Sequence, residues 1–286
     1  MPATAKLLQL LPKVGDIKMV CIRENRFPFL HKINAWNRDP LKTGDTLVEK
    51  CVHFFDLFRL ITSQEVQPSG VRSLAQRGLN YQDEDLEHYP IVDSAYVIMP
   101  FKEREDAEDG DGGGYESSGG HHHSTIGCLE LCMFTEGSRH QEEIVVTGTK
   151  GRLEAYLPEN KVYHYERPDS TGWVDRSIPP PQESIRETVF DCSNVKEIHN
   201  ISDEEQMPTH GGYHYSSTAV EWLKLISAIQ AWRKSGEWIP EVSLDDGLRA
   251  VEMGMMATTS IVNDRMCNAE GDEYKRAQSC PVRNQP

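Results

Sequence analysis

From Leu47 to Ile61 the chain reads LVEKCVHFFDLFRLI, and ten of these fifteen side chains are apolar. A helix that apolar around most of its circumference is stable only when other elements cover it, so it predicts a core helix under a sheet or among other helices. Glu49, His53 and Asp56 interrupt the apolar surface at i, i+4 and i+7, which puts all three on one narrow face. Polar groups at that depth must be hydrogen-bonded or must line a cavity. Two structural readings fit. Thr46-Leu47-Val48-Glu49 has the form of a capping box with Glu49 at N3, and a His between two carboxylates can be a satisfied buried network. A catalytic reading fits as well. A carboxylate one turn from an imidazole fixes its tautomer and raises its pKa, which makes an acid/base unit able to take the proton of a hydroxyl. Hydrolysis or metal binding could use the same residues, so the stripe alone leaves structure and catalysis open.

The remaining chain supplies what such a helix would pack against. Residues 3–11 read as a short helix, and Ile17–Arg26 as a strand ended by Pro28. Further strand candidates are Val71–Gln76, Ala95–Met99, Cys128–Phe134, Glu143–Thr147, Arg152–Ala155 and Lys161–Tyr165. Gly-containing turns such as Gly148-Thr149-Lys150-Gly151 join several of them, which predicts a mainly antiparallel sheet. Long helices are expected at Ser217–Lys234 and Leu244–Val262. The expected fold class is therefore α+β, a large, mainly antiparallel open sheet with helices packed on one face. One domain over residues 1–265 is expected. It is interrupted at 102–125 by an acidic Gly/His-rich insertion with too few apolar residues to order itself, and a polar tail follows at 266–286.

Charge narrows the partners. Lys plus Arg number 30 against 45 Asp plus Glu, a formal net charge of -15, which repels nucleic-acid phosphates and anionic lipid surfaces alike. The seven cysteines lack Cys-x-x-Cys spacing, so neither a zinc site nor a disulfide framework is signalled. No metal site is expected: Gly211-Gly212 between His210 and His214 argues against a helix that would face them together, and His121-His122-His123 reads as a solvated tract. No stretch approaches the roughly 20 apolar residues of a membrane span, and no secretory leader pattern opens the chain. A soluble cytoplasmic protein is the expectation.

The run Trp36-Asn37-Arg38-Asp39-Pro40, followed by Gly44-Asp45-Thr46-Leu47-Val48-Glu49-Lys50-Cys51-Val52-His53-Phe54-Phe55-Asp56-Leu57, resembles the Gfo/Idh/MocA family of NAD(P)-dependent oxidoreductases. In that family a Gly-rich turn leads into a helix with an acidic residue, a His four positions later and an Asp three beyond, at the floor of the substrate pocket. The resemblance extends through Gln141–Gly148, Gly151–Ala155, His210-Gly211-Gly212 and Val242–Leu248, and covers roughly residues 3–262. It implies the family's C-terminal domain. His53 is then the general acid/base on a substrate hydroxyl, with Glu49 orienting it or binding substrate and Asp56 giving structural support. Trp36, Asn37, Arg38, His210 and His214 become candidate contacts to a sugar, polyol or related compound.

NAD or NADP would serve the complete enzyme, and none is expected to bind this chain alone. The Rossmann domain, with its Gly-x-Gly-x-x-Gly turn and a catalytic Lys in Glu-Lys-Pro, finds no counterpart: Gly110-Asp111-Gly112-Gly113-Gly114 lies among acids that would repel a pyrophosphate. Members commonly read Tyr-Met-Pro near where Met1-Pro2 stands, so a chain begun at an internal methionine is expected. Homo-oligomerisation through the sheet face is also expected, and a non-enzymatic module that keeps the fold is the alternative. Two positions depart from the pattern: Glu49 replaces the usual Asp, and Asp45 stands where Gly is usual, in a turn that favours Gly.

Overall fold

The structure is a computed structural model that describes residues 1–29, 32–77, 91–102, 124–167, 186–202, 216–238 and 242–267. The helices are α1 (Pro2–Leu10), α2 (Pro40–Thr43), α3 (Thr46–Glu49), α4 (Val52–Thr62), α5 (Val195–Ile198), α6 (Ser217–Ser235) and α7 (Leu244–Cys267). The strands are β1 (Ile17–Asn25), β2 (Glu65–Val66), β3 (Arg72–Arg77), β4 (Val92–Lys102), β5 (Thr125–Cys132), β6 (Glu142–Gly148), β7 (Gly151–Leu157), β8 (Lys161–Glu166) and β9 (Arg186–Asp191). Of the expected insertion at 102–125 and tail at 266–286, residues 103–123 and 268–286 lie outside the described residues, while Lys102 ends β4, Thr125 opens β5 and α7 runs on to Cys267.

The nine described strands form one sheet in the order β2-β4-β5-β1-β6-β7-β8-β9, with β3 also on β4. Its pairs are antiparallel except β1 with β5, which run parallel. This is the predicted architecture. Alternation explains why these segments are strands: along β4, Val97, Met99 and Phe101 are buried while Tyr96 and Ile98 are exposed, and β5 buries Leu129 and Leu131 but not Ile126. The inner face carries Val20, Ile22, Ile144, Val146, Leu153 and Val162 against α1, α4 and α7. Phe55 and Phe58 of α4 are fully buried, and each contributes roughly 1.5–3 kcal/mol. Those two rings, rather than the polar stripe, decide how α4 is oriented. Strand β9 has only Val189 and Phe190 as apolar residues and an otherwise exposed edge pattern, too weak a signal to predict from sequence.

Two features of the helical layer differ from expectation. The single helix over 47–61 is divided: Lys50 and Cys51 both donate to the Thr46 carbonyl, at 3.0 and 3.2 Å, and the next turn restarts with Phe54 donating to Cys51. The division coincides with the crossing of α7. There Gly254 brings its backbone so close that an added Cβ would lie 2.8 Å from the Leu47 carbonyl oxygen. Helix α6 is the other. Val220 is its buried residue, while Trp222, Leu225, Ile226 and Trp232 are exposed.

Candidate active site

The approach to α3 is built by two consecutive positive-φ residues. Gly44 ends α2 in the left-handed conformation, and Asp45 follows at φ 74 and ψ 176, a region that side chains rarely adopt. Its carboxylate compensates. Asp45 Oδ1 accepts the amides of Thr46 at 2.7 Å and Val92 at 2.9 Å, and Oδ2 takes the Arg77 guanidinium in a buried ion pair. Asp45 is thereby the N-cap of α3 and joins it to the ends of β3 and β4. Thr46 is not the cap, so the capping box is absent and Glu49 is free for other contacts.

Glu49 makes one of them with Lys32, whose Nζ lies 3.6 Å from Glu49 Oε1 and 4.6 Å from the centre of the Trp36 ring. Lys32, which sequence reasoning did not single out, thus ties the half-exposed Trp36 to the acid of the motif. Behind Trp36, Asn37 is 1% exposed, and the buried Arg38 donates to the Phe29 carbonyl, which ties the loop to the end of the preceding segment. His210 and His214 lie outside the described residues.

His53 opens α4 with its side chain exposed, not at core depth as the apolar run suggested. Among the described residues no hydrogen bond or ion pair reaches its ring. Its pKa is lowered rather than raised: partial burial dominates, Lys50 adds to it, and Glu49 and Asp56 oppose. Burial first, and Lys50 second, overturn the expectation that neighbouring carboxylates would raise it. Asp56 pairs with Arg59, which also holds Glu65 and Asp246 and so joins α4 to β2 and to the start of α7.

Lys50 is anchored from below. Its Nζ lies 3.4 Å from Glu24 Oε1, a fully buried carboxylate that also faces Arg26 at 3.6 Å. Glu142 stands opposite Glu24 across β1 and β6, and burial together with that neighbouring charge pushes it up to about 7. Sequence could not reveal this cluster, because its members are far apart along the chain.

The arrangement provides an exposed imidazole with a lowered pKa, an acid beside it, an anchored ammonium, and an aromatic ring paired with a lysine. A cleft of about 610 Å³ on the other face of the sheet, lined by Gln76, Ser94, Tyr96, Glu130 and Cys132, contains none of these groups. Its one carboxylate is already held by Arg23. Among the described residues no group of three or more His, Cys, Asp or Glu could hold a metal ion, and no helix is long and apolar enough to cross a membrane.

The family model for the oxidoreductase family, C-terminal alpha/beta domain, matches residues 11–108 and 121–268. The chain belongs to the Gfo/Idh/MocA oxidoreductase family. Its fold recurs in many solved structures. An NAD binding oxidoreductase from Klebsiella pneumoniae is 14% identical with a TM-score of 0.60, over 93% of this chain and 62% of that one. A protein from Sinorhizobium meliloti 1021 assigned as a myo-inositol dehydrogenase is 18% identical with a TM-score of 0.54, over 92% and 61%. UDP-N-acetylglucosamine 3-dehydrogenase from Acidithiobacillus ferrooxidans is 14% identical with a TM-score of 0.53, over 91% and 59%. The chain therefore spans about 60% of the length of these structures. None of the curated proteins matches it. Members of the family bind a nicotinamide dinucleotide, but the described residues do not fit one. No described strand runs through a Gly-rich turn into a helix, so a pyrophosphate has no cradle of backbone amides there.

Proposed function

We propose that this chain supplies the substrate side of an NAD(P)-dependent oxidoreductase acting on a CH–OH group of a sugar, polyol or related compound. The observation that carries the reading is the exposed His53 ring, its pKa lowered by burial and Lys50, next to Glu49 in the family's motif. A base for alcohol oxidation must be unprotonated at working pH and must reach a hydroxyl, and an exposed His with a lowered pKa meets both conditions. In this reading His53 takes the hydroxyl proton, and Glu49 orients the substrate or the ring. The Trp36 face offers an apolar platform for a sugar ring, while Lys32 donates to its hydroxyls. Asn37 and Arg38 act behind them by fixing the loop, and His210 and His214 are further candidate contacts. The nicotinamide cofactor would be bound by a nucleotide-binding half other than the described residues, and the chain alone would be inactive. Self-association through the open sheet face belongs to the same reading. Leu74, Tyr96, Ile98, Ile126 and Met19 are half or more exposed there or nearly so, which favours a protein partner over water.

The test is a chimera that joins this chain to the nucleotide-binding half of the Klebsiella pneumoniae relative, followed at 340 nm with inositols and nucleotide sugars. Turnover that falls roughly 10²–10⁴-fold in His53→Ala is expected, as is no NADH fluorescence change with the chain alone. Tight NADH binding by the chain alone, or a His53→Ala chimera as active as its parent, would sink the reading in favour of a binding module.

A further inference from the structure

Cys21 of β1 and Cys128 of β5 are register partners in the parallel pair at the centre of the sheet, and their side chains share its open face. The two thiols are hydrogen-bonded to each other. Val145 flanks Cys21 on one side and Ile98 flanks Cys128 on the other. Two residues along β1 from Cys21, Arg23 is held between Glu130 at 2.9 Å and Glu143 at 2.8 Å. The hydrogen bond from Cys128 holds the Cys21 thiol below its ordinary pKa; burial opposes, Arg23 assists, and Glu130 and Glu143 oppose. The same bond raises Cys128. The other described thiols differ. Cys51 and Cys192 are fully buried. Cys132 is partly exposed, but its register partners are Asn25 and Ser94.

Adjacent strands lie about 4.8 Å apart, inside the Cα separation of roughly 4.4–6.8 Å that a disulfide spans. The backbone spacing thus lies in the range a disulfide spans, and closing the bridge draws the two Cβ atoms together to about 3.5–4.5 Å. An unequal thiol pair beside an arginine on an accessible face is what stepwise oxidation requires.

We propose that Cys21 and Cys128 form a peroxide-responsive thiol pair, in which Cys21 is the attacking thiol and Cys128 the resolving one. The Cys21 thiolate attacks one oxygen of a hydroperoxide. The O–O bond breaks, Cys21 becomes a sulfenic acid, and the second oxygen leaves as hydroxide or alkoxide. Cys128 Sγ then attacks Cys21 Sγ and displaces the hydroxyl, which departs as water with the Cys128 proton. Two electrons pass from the thiols to the peroxide, and a disulfide joins β1 to β5. The pair involves none of the residues assigned to substrate, but it shares the open face with Met19, Ile98 and Ile126, so the thiols react in the unassociated chain and are covered where that face self-associates.

The experiment treats dilute, fully reduced chain with graded hydrogen peroxide, blocks remaining thiols with N-ethylmaleimide, and maps peptides by mass spectrometry. Cleavage after Arg23 and Glu130 separates Cys21, Cys128 and Cys132. The expected product is a Cys21–Cys128 peptide pair two hydrogens lighter, formed at doses that leave Cys51, Cys132 and Cys192 reduced. In Cys128→Ser, Cys21 should stop at a sulfenic acid trapped by dimedone, and in Cys21→Ser, Cys128 should stay reduced at the same dose. Circular dichroism checks that both variants fold, and if either does not, the map of the unaltered chain decides alone. Alkylation of Cys21 no faster than Cys132 together with no 21–128 link, or a link made to Cys132 instead, overturns the proposal.

Discussion

Replacing Asp45 by Gly tests the account of the turn into the motif most sharply, because two opposite effects of known size meet at one residue. Glycine relieves the backbone at φ 74 and ψ 176, worth roughly 1–3 kcal/mol. It also removes a carboxylate that holds two backbone amides and a guanidinium. Side-chain exposure is 3% for Asp45 and 8% for Arg77, so water restores little of the lost interaction. Breaking a buried ion pair costs about 3–5 kcal/mol, and leaving the buried Val92 amide without its acceptor adds roughly 1–3 kcal/mol. The losses exceed the relief, and Asp45→Gly should be less stable by ~1–7 kcal/mol, centred near ~4, a large part of the 5–15 kcal/mol typical of a domain. Asp45→Ala keeps the strained backbone without the carboxylate and should fall ~1 kcal/mol further. Asp45→Asn, which retains an acceptor for the amides, should lie between Gly and the parent. Urea unfolding followed by circular dichroism gives the order directly. Adding Arg77→Met to Asp45→Gly should do less harm than to the parent, by a coupling of ~1–3 kcal/mol. A glycine variant as stable as the parent, or strict additivity with Arg77→Met, refutes the reasoning.

Glu142 gives a pH-dependent counterpart. Its folded pKa is raised from 4.5 to about 7, so its favourable contribution is complete below pH 4.5 and is lost as pH rises through 7. Glu142→Gln should therefore be more stable than the parent at pH 8 by ~1–3 kcal/mol and equal to it near pH 4; parallel urea midpoints across that range would disprove the assignment. His53→Asn should change the stability of the chain by less than ~0.5 kcal/mol, since the ring is exposed, and calorimetry showing a larger loss would mean the imidazole is structural. In an active chimera the acid limb of the rate profile should lie below pH 6.5, the ordinary His value. A limb above 6.5 would show that Glu49 and Asp56 outweigh burial and Lys50.

Much of the architecture was legible because strand alternation and helical periodicity are local. The apolar positions of β1, β4, β5, β6, β7 and β8 and the long helices α6 and α7 could be read within windows of about ten residues. So could the motif from Trp36 to Leu57, whose residue types and spacing resemble the family's own. The exposed edge strand β9 was not legible, since a strand paired on one side has little apolar pattern to display.

What the tertiary structure alone decided depends on residues brought together across long separations. The close crossing of α7 at Gly254 accompanies a division of the apolar helix that its own composition gave no reason to expect. Burial and Lys50 set the direction of the His53 pKa, and Lys50 is in turn anchored by Glu24 from β1. Asp45 looked unfavourable in its turn until Arg77 and the Val92 amide supplied partners 32 and 47 residues away. Cys21 and Cys128 became a pair only through the parallel β1–β5 pairing, which no local pattern specifies. Local sequence determined which elements form and which face of each is apolar, because those are short-range properties of the backbone and side chains. Which polar groups meet, and hence their charge and reactivity, follows from packing, because electrostatic partners act through space and not along the chain.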